Sequence, residues 1–296
     1  MTDIISRTLT HPPVDTRYIA GLWHPARVSP RGIWTELRVL GASLIKPANR
    51  DVHKFLIIGR ARSGSTLLTR LLNDHPQVHC GREILSRRVL FPQRFLNRLA
   101  QKTPQAAYGA KLLSYQMIQV QRFRDPVGFL QGLADSGFRF IHLERDTFAQ
   151  TFSLDIAQTR RIYHQRDETA AGQRNPGWEH GAKIAQATAP VQLDLDDFIA
   201  RLKWSALLLE YERHCLRGFD HMTVSYEADL QEQSAHQPLT DRVFDWIGVP
   251  PAPTPVAGGM KKILPADPRE MITNYEALAD RLHREGLSDL LPAPPS

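Results

Sequence analysis

The chain has 296 residues, of which 42% are hydrophobic, and this proportion is sufficient for a folded core. Basic residues exceed acidic residues by 37 − 31 = 6, which favours anionic partners, but they are dispersed and match no nucleic-acid-binding motif. There is no apolar run of transmembrane length, no secretory pattern at the start and only 2 cysteines, so we expect a cytoplasmic protein without nucleic-acid partners.

Residues 1–50 precede the first predicted strand, and we interpret them as an N-terminal extension. Several prolines argue against a long helix in its first part. Further along, one helical face collects the apolar residues Ile33, Trp34, Leu37, Leu40 and Leu44. We expect the extension to pack on the core, and peripheral contact with a membrane surface or with a partner chain is the alternative.

Residues 55–72 are the most informative part of the chain. Residues 55–58 are a short apolar run typical of a buried strand, and residues 59–65 are a turn of small residues that carries arginines. Leucines then recur at helical spacing, namely Leu67, Leu68, Leu71 and Leu72. A strand, a tight turn and a helix in this order direct backbone N–H groups and the helix dipole at one point, which predicts an anion-binding site.

This turn differs in one position from a nucleotide-triphosphate P-loop, G-x-x-x-x-G-K-[ST]. Gly59 and Gly64 have the P-loop spacing, but Ser65 stands where a lysine would contact the β- and γ-phosphates. The nearest cation is Arg62, and three hydroxyl residues flank the second glycine: Ser63, Ser65 and Thr66. This composition favours a phosphate-bearing group other than a triphosphate, and an ordinary strand-to-helix turn is the alternative.

Strands and helices alternate along the rest of the chain. Strands are predicted at residues 106–113, 138–143 and 221–226, and a long helix at residues 194–217. The alternation predicts an α/β fold with a P-loop-type parallel sheet and helices on both faces. Ligands of such sheets bind at the carboxyl ends of the strands, so we expect Arg62 and Arg145, which both follow a strand, at the same edge.

Residues 60–67, Arg-Ala-Arg-Ser-Gly-Ser-Thr-Leu, resemble the 5′-phosphosulfate-binding loop of sulfotransferases that use 3′-phosphoadenosine 5′-phosphosulfate. In that family a lysine or arginine precedes Ser-Gly-[ST]-[ST], and Arg62 occupies this position. A second family signature, an arginine at the end of a strand and a serine in the following helix, holds the donor's 3′-phosphate. Arg145 and Ser153 match this signature, and Asp146 is suited to cap the helix.

Weaker similarities extend the resemblance over residues 54–282, towards bacterial sulfotransferases of carbohydrates and sugar lipids, such as the trehalose and Nod-factor types. They lie in a G-x-K strand that contains Lys111, in a V-x-Y-E segment at 224–227, at a helix end at 243–250, at Lys261 and Lys262, and at 272–276. The resemblance implies one sulfotransferase domain over residues 51–296. Residues 164–192, rich in glycine and proline, are predicted to form its acceptor-side loop or lid.

The resemblance also implies a reaction and its ligands. The cosubstrate would be 3′-phosphoadenosine 5′-phosphosulfate, released as adenosine 3′,5′-bisphosphate, and no metal would be required. The acceptor would be a hydroxyl of a carbohydrate or of a sugar-bearing lipid. The residues assigned to donor binding are Arg60, Arg62, Ser63, Gly64, Ser65, Thr66, Arg145, Ser153, Lys261 and Lys262. Arg62 would also stabilise the charge on the departing phosphate.

Glu83 is the candidate for the base that removes the proton of the acceptor hydroxyl. Trehalose-type sulfotransferases carry a glutamate in a similar G-E-[LI] context just beyond the donor loop, where it is thought to act as the base. The alternative for Glu83 is an ion pair with Arg82 or Arg87. His79 and His142 are the other candidates for the base.

Further basic residues follow the donor loop. Lys111 is predicted to point from its strand end towards the sulfonate, or else to be an exposed strand lysine. A basic stretch comprises Arg82, Arg87, Arg88, Arg94, Arg98 and Lys102. This stretch suits an acidic head group or an anionic bilayer, and a solvated helix face is the alternative.

Two other classes of function stay open. A P-loop kinase or NTPase would use Glu144 or Asp146 as its metal-binding acid, although Ser65 replaces the P-loop lysine. A non-catalytic nucleotide-binding module would bind adenosine 3′,5′-bisphosphate without any transfer. The acceptor and the oligomeric state, monomer or homodimer, are also open.

Overall fold

The structure, a computed structural model, describes residues 30–41, 49, 51–159, 189–256 and 267–292. These residues belong to two compact units. The first unit comprises residues 30–41, 49, 51–145 and 207–256. The second unit comprises residues 146–159, 189–206 and 267–292.

The first unit contains a sheet of five parallel strands, which confirms the predicted α/β fold. The strands are β1 (His53–Gly59), β2 (Val78–Glu83), β3 (Ala107–Leu113), β4 (Phe138–Glu144) and β5 (His221–Ser225). Their order across the sheet is β2-β3-β1-β4-β5. The sequence pattern does not predict β2, because only Val78 and Cys80 of this edge strand are buried and its apolar signal is correspondingly short.

Eight α-helices lie in the described ranges. They are α1 (Pro30–Gly41), α2 (Ser65–Asn73), α3 (Pro92–Gln101), α4 (Pro126–Ala134), α5 (Thr147–Thr159), α6 (Leu195–Leu216), α7 (His236–Ile247) and α8 (Tyr275–Arg284). A π-helical turn, Gln116–Gln121, follows β3, and a second one, Tyr226–Leu230, follows β5. Helix α6 contributes residues 195–206 to the second unit and residues 207–216 to the first.

The strand order places helices on both faces of the sheet. The connection from β1 to β2 through α2 crosses the sheet in one direction, and the connection from β2 to β3 through α3 returns in the other. Because such crossovers are right-handed, α2 and α3 cover opposite faces. On the α2 face, Phe55, Ile57 and Ile141 of the sheet pack with Leu68 of α2 and Phe244 of α7.

Gly109 of β3 shows why a glycine stands in the G-x-K strand. A Cβ atom at this position would lie 2.1 Å from the ring of Phe55 on the neighbouring strand. Any larger residue would therefore displace a completely buried phenylalanine. The glycine lets β1 and β3 pack closely, two residues before Lys111.

The second unit has its own apolar core, in which Phe148 and Phe152 of α5 pack with Phe198 of α6 and Leu278 of α8. The side chain of Asn274 accepts a hydrogen bond from the backbone N–H of Leu193 and donates one to its carbonyl. These two hydrogen bonds attach residue 193 to the residue that immediately precedes α8.

Helix α1 represents the N-terminal extension in the described part of the chain. The carboxylate of Glu36 is buried and accepts hydrogen bonds from the backbone N–H groups of Leu90 and Phe91, at the start of α3. The opposite face of α1 exposes Trp34 and Leu37. Most of residues 1–50 lies outside the described residues, so the packing of the whole extension stays a prediction.

Two other predicted features lie largely or wholly outside the described residues: most of the acceptor-side loop at 164–192, and the pair Lys261 and Lys262. Among the helices that the structure describes, none is both long enough and apolar enough to cross a membrane.

Candidate active site

The predicted anion-binding segment, residues 59–66, connects β1 to α2, and we call it the donor loop. Arg62 and Gly64 both have positive φ angles, 65° and 95°, which fold the loop tightly below the first turn of α2. No side chain caps this helix. The first backbone N–H groups of a helix have no partner within it, so the start of α2 is suited to bind an anion.

A stack of three residues positions Arg145 at the donor loop. A Cβ atom at Gly64 would lie 2.5 Å from the ring of Tyr226, so only glycine allows this ring to pack against the loop. The guanidinium of Arg145 lies over the same ring, 4.1 Å from its centroid. Arg145 Nη1 also donates a hydrogen bond to the carbonyl of Arg62, at 2.7 Å. The structure thus brings Arg62 and Arg145 to the same edge of the sheet.

Arg60 supports this arrangement from inside the protein. Its side chain is completely buried, and its Nη2 donates a hydrogen bond to the carbonyl of Arg145. Ser63 is also completely buried, and its Oγ has no hydrogen-bond partner among the described residues. A buried hydroxyl in this state still has a donor to offer to a ligand of the loop.

Glu83 lies at the end of β2, and a β-bulge determines its direction. Cys80 pairs with Gly109 and Glu83 pairs with Lys111, so three steps along β2 match two steps along β3. Successive strand residues point to opposite faces, and the extra residue turns Glu83 to the face that carries Cys80 and Lys111. Without this bulge, the carboxylate would point to the other side of the sheet.

Two residues that the sequence analysis did not single out hold this carboxylate. Tyr115 OH donates a hydrogen bond to Glu83 Oε2 at 3.0 Å, and Gln116 Nε2 donates to the same oxygen at 3.2 Å. Gln116 is itself fixed, because its Oε1 accepts a hydrogen bond from the backbone N–H of Leu113. The pKa of Tyr115 is raised by burial and by the Glu83 charge, so this hydroxyl keeps its proton and remains a donor.

The other carboxylate oxygen of Glu83 faces Lys111. Lys111 Nζ lies 4.0 Å from Glu83 Oε1 and 3.3 Å from Thr66 Oγ1, in the first turn of α2. Burial lowers the pKa of Lys111, although the charge of Glu83 opposes this shift. Within the described chain, Oε1 accepts no hydrogen bond, and Glu83 forms no ion pair with Arg82 or Arg87. We call Glu83, Lys111, Tyr115 and Gln116 the Glu83 cluster.

The two histidines considered as alternative bases lie elsewhere in the first unit. His79 is exposed and stacks on Tyr108. His142 is buried between two carboxylates: its Nδ1 lies 3.2 Å from Glu144 Oε1, and its Nε2 lies 3.1 Å from Glu212 Oε2. Burial alone would lower the pKa of His142, but the two carboxylates outweigh it and raise the pKa to about 9. His142 is therefore a cation in an ion cluster at neutral pH.

The acids that a kinase or NTPase would use for a metal ion are engaged in other contacts. Glu144 receives two hydrogen bonds from Arg213. The hydrogen bond from His142, and then those from Arg213, lower the pKa of Glu144. Asp146 Oδ1 accepts a hydrogen bond from the backbone N–H of Ala149 and so caps α5, as expected. Among the described residues, no group of three or more His, Cys, Asp or Glu side chains is arranged to hold a metal ion.

Ser153, the second residue of the predicted 3′-phosphate signature, belongs to the second unit. It is a buried residue of α5, on the helix that Asp146 caps. Its contribution to donor binding stays a prediction, as do those of Lys261 and Lys262.

Comparison with known proteins gives one match to a family model, over less than half of this chain. Residues 55–125 match the model of a family described as the sulfotransferase family. This segment contains the donor loop and the whole Glu83 cluster, and the match supports sulfotransfer as the activity. A comparison with curated proteins gives no match.

Three solved structures are similar to this chain. A sulfotransferase from Alicyclobacillus acidocaldarius has 15% identity over 80% of this chain and 95% of that chain, with a TM-score of 0.38. A sulfotransferase domain from the curacin biosynthetic pathway has 15% identity over 82% of this chain and 93% of that chain, with a TM-score of 0.42. A sulfotransferase from Mycobacterium avium has 13% identity over 95% of this chain and 88% of that chain, with a TM-score of 0.42. At these sequence identities and TM-scores, the three structures carry no argument about the reaction of this protein.

Proposed function

We propose that this protein is a sulfotransferase that moves a sulfonate group from 3′-phosphoadenosine 5′-phosphosulfate to a hydroxyl group. The observation that carries the proposal is the position of Lys111. Its ammonium lies 3.3 Å from Thr66 of the donor loop and 4.0 Å from the carboxylate of Glu83. A group transferred from the loop to an acceptor at Glu83 would pass this ammonium, which is suited to attract the sulfonate oxygens.

The donor is proposed to bind along the edge of the sheet formed by the ends of β1 and β4. The start of α2, with Arg62, Ser63, Ser65 and Thr66, would hold the 5′-phosphosulfate, since it offers backbone N–H groups, hydroxyls and one guanidinium. Arg145 would bind the 3′-phosphate, and the resemblance assigns Ser153 and the pair Lys261 and Lys262 to the same group. Arg60 acts through Arg145, whose carbonyl it binds, as a positioning residue.

The reaction needs a base for the acceptor and a stabiliser for the leaving group. Glu83 Oε1 would take the proton of the acceptor hydroxyl while the acceptor oxygen forms a bond to sulfur. The bond between sulfur and the bridging phosphate oxygen breaks, and adenosine 3′,5′-bisphosphate leaves with the bonding electrons. Arg62, Lys111 and the dipole of α2 would stabilise the charge that grows on that oxygen. The remaining contribution is the alignment of the two reactants.

The acceptor is proposed to be a carbohydrate or a sugar-bearing lipid. This proposal rests on the resemblance to bacterial enzymes of the trehalose and Nod-factor types, which carry a glutamate or segments similar to those found here. The proposed cosubstrate and the proposed acceptor can be tested independently, because the donor loop follows β1 whereas Glu83 and Lys111 lie on β2 and β3.

The decisive experiment incubates the protein with donor carrying labelled sulfonate and with a set of sugars and glycolipids, followed by mass spectrometry of labelled products. We expect a sulfated carbohydrate or glycolipid and loss of donor binding in Arg145→Ala. The matched control is Arg70→Ala, an exposed arginine in the last turn of α2, at the other end of this helix from the donor loop. Magnesium-dependent turnover of ATP would support a kinase instead. Tight binding of adenosine 3′,5′-bisphosphate without transfer to any acceptor would support a non-catalytic module.

A further inference from the structure

Exposed apolar side chains are concentrated on one side of the first unit. Among the described residues, five large apolar side chains are well exposed, and four of them belong to α1 or to the segment before α3. These four are Trp34 (64%), Leu37 (60%), Leu90 (54%) and Phe91 (52%). Single exposed apolar residues are ordinary, but a group of four, two of them aromatic, marks an interaction surface.

Buried polar contacts hold the two segments together. The carboxylate of Glu36, between Trp34 and Leu37 on α1, accepts the backbone N–H groups of both Leu90 and Phe91 at 2.7 and 2.6 Å. Lys102, just after α3, donates a hydrogen bond to the carbonyl of Val39. Helix α1 is therefore attached through the face that carries Glu36 and the buried Val39, which leaves Trp34 and Leu37 on the outside.

The segments that form this side of the unit expose no acidic side chain. No Asp or Glu occurs in the sequence between Glu83 and Asp125, and the only acid of α1, Glu36, is buried. Exposed arginines accompany the apolar residues. Arg38 lies over the ring of Trp34, at 5.7 Å, and Arg94 lies over the ring of Phe91, at 5.6 Å. Each exposed aromatic ring is thus paired with a cation.

We propose that Trp34, Leu37, Leu90 and Phe91, with Arg38 and Arg94, form a docking surface for an anionic lipid bilayer, and we call it the basic apolar surface. Aromatic and leucine side chains next to arginines match the boundary between acyl chains and head groups, where apolar groups insert and guanidinium groups bind lipid phosphates. Arginine stems cover apolar area while the charged ends stay with the phosphates. A second copy of this chain is a poorer occupant, because it would oppose arginines with arginines.

The basic apolar surface is connected to the Glu83 cluster by the π-helical turn Gln116–Gln121. Gln121 Nε2 donates hydrogen bonds to the carbonyls of Leu85 and Arg87, and its Oε1 accepts the backbone N–H of Val89. The first residue of the same turn, Gln116, binds Glu83. Docking would therefore fix the segment that leads from Glu83 to Leu90. If the proposed function is correct, this arrangement favours an acceptor presented at a membrane surface.

Vesicle binding tests the surface without any need for turnover, so the result does not depend on the proposed function. The full-length protein is sedimented with vesicles of phosphatidylcholine alone and with vesicles in which about one third of the lipid is phosphatidylglycerol. We expect binding to the anionic vesicles only, and weakening by salt. Arg94→Glu should reduce the partition coefficient on the order of fivefold or more. Trp34→Ser should reduce it similarly, while Trp34→Phe should retain most of it.

The matched control for charge is Arg70→Glu, which changes the net charge equally but lies on α2, on the opposite face of the sheet from α3. This variant should bind vesicles like the parent. The proposal fails if the parent does not bind anionic vesicles, if it binds neutral vesicles equally well, or if Arg94→Glu and Arg70→Glu weaken binding to the same extent. It also fails if sedimentation velocity shows a dimer that Trp34→Ser dissociates, since the surface would then be occupied by a second copy.

Discussion

The donor loop takes nearly all its polar groups from one continuous segment, residues 59–66, whereas the Glu83 cluster is assembled from β2, β3 and the turn after β3. In the donor loop, the backbone of a strand, a turn and a helix directs N–H groups at the predicted anion site, and Arg145, which follows β4, donates a hydrogen bond to the loop. In the Glu83 cluster, the position of the carboxylate depends on a bulge and on two side-chain donors. The first kind of site is visible in a sequence, and the second kind requires the sheet.

The two regions also offer different chemical groups, and these groups suit different steps of the proposed reaction. The donor loop offers cations, hydroxyls and N–H groups, which suit the binding of a charged cosubstrate. The Glu83 cluster offers one acid and its supports, which suit a proton transfer. Variants in the two regions should therefore affect different kinetic quantities.

The largest effect is expected for Glu83→Gln, which removes the proposed base and keeps the size of the side chain. The turnover rate should fall roughly 10²–10⁴-fold, because a positioned base contributes about that much. Affinity for adenosine 3′,5′-bisphosphate, measured by calorimetry, should stay unchanged. Glu232→Gln, at an exposed site of the first unit, is the control. Equal turnover in Glu83→Gln and the parent would exclude Glu83 as the base and leave the donor site unaffected.

The next largest effect is expected for Arg62→Gly, which removes a guanidinium from the donor loop. Loss of a charge-assisted contact should weaken donor binding on the order of tenfold to a hundredfold. The free energy of unfolding should not fall and should rise by up to about 1 kcal/mol, because a non-glycine residue at positive φ is strained. Calorimetric titration and urea denaturation measure the two quantities.

Arg122→Gly is the matched control for Arg62→Gly. Arg122 is the other non-glycine residue with a positive φ in the described chain, at 55°, and it is exposed. Its replacement should affect stability in the same direction without changing donor affinity. A loss of donor affinity in both variants would show that backbone flexibility, rather than the Arg62 charge, is responsible.

A smaller effect, on the shape of a pH profile, is expected for Lys111→Arg. Burial lowers the pKa of Lys111 from its usual 10.5, so the protonated form is lost at a lower pH than for an exposed lysine. If the cation assists transfer, activity should decline on the alkaline side below that usual value. Arginine stays protonated, so Lys111→Arg should move the alkaline limb to higher pH whatever its absolute rate.

Lys54→Arg is the control for the Lys111 profile. Burial also lowers the pKa of Lys54, but this residue lies near the start of β1, at the other end of the sheet from the candidate site. The alkaline limb should not move in this variant. If activity declines at the same alkaline pH in the parent and in Lys111→Arg, a group other than Lys111 controls this decline.

The smallest effect is expected for Tyr115→Phe, which removes one of two hydrogen bonds to Glu83 Oε2. The turnover rate should fall about fivefold to tenfold with little change in donor affinity, because Gln116 still holds the same oxygen. Tyr108→Phe is the control. It also removes a tyrosine hydroxyl, but this tyrosine lies on β3 and does not contact Glu83, so turnover should be unchanged. A larger loss for Tyr108→Phe would indicate a packing effect instead of positioning.

The sequence supported the parallel sheet and the donor loop because both have local signals. A buried strand, a glycine-containing turn and a leucine helix follow each other in residues 55–72, and their geometry is set by the backbone. The cap of α5 by Asp146 was also predictable, since it depends on neighbouring residues. The edge strand β2 was missed, because an edge strand buries few side chains and its pattern is weak.

The amino-acid sequence alone determined the fold class, and it predicted the position of an anion-binding turn and Glu83 as the base, since all three depend on residues close together in the chain or on a family resemblance. Only the tertiary structure decided which oxygen of Glu83 is held by Tyr115 and Gln116, and that Lys111 lies between this acid and Thr66. The sheet order makes β3 the neighbour of both β1 and β2, and the bulge in β2 turns Glu83 to the same face. Strand pairing and bulges depend on contacts between distant segments, and therefore leave no pattern within any one of them.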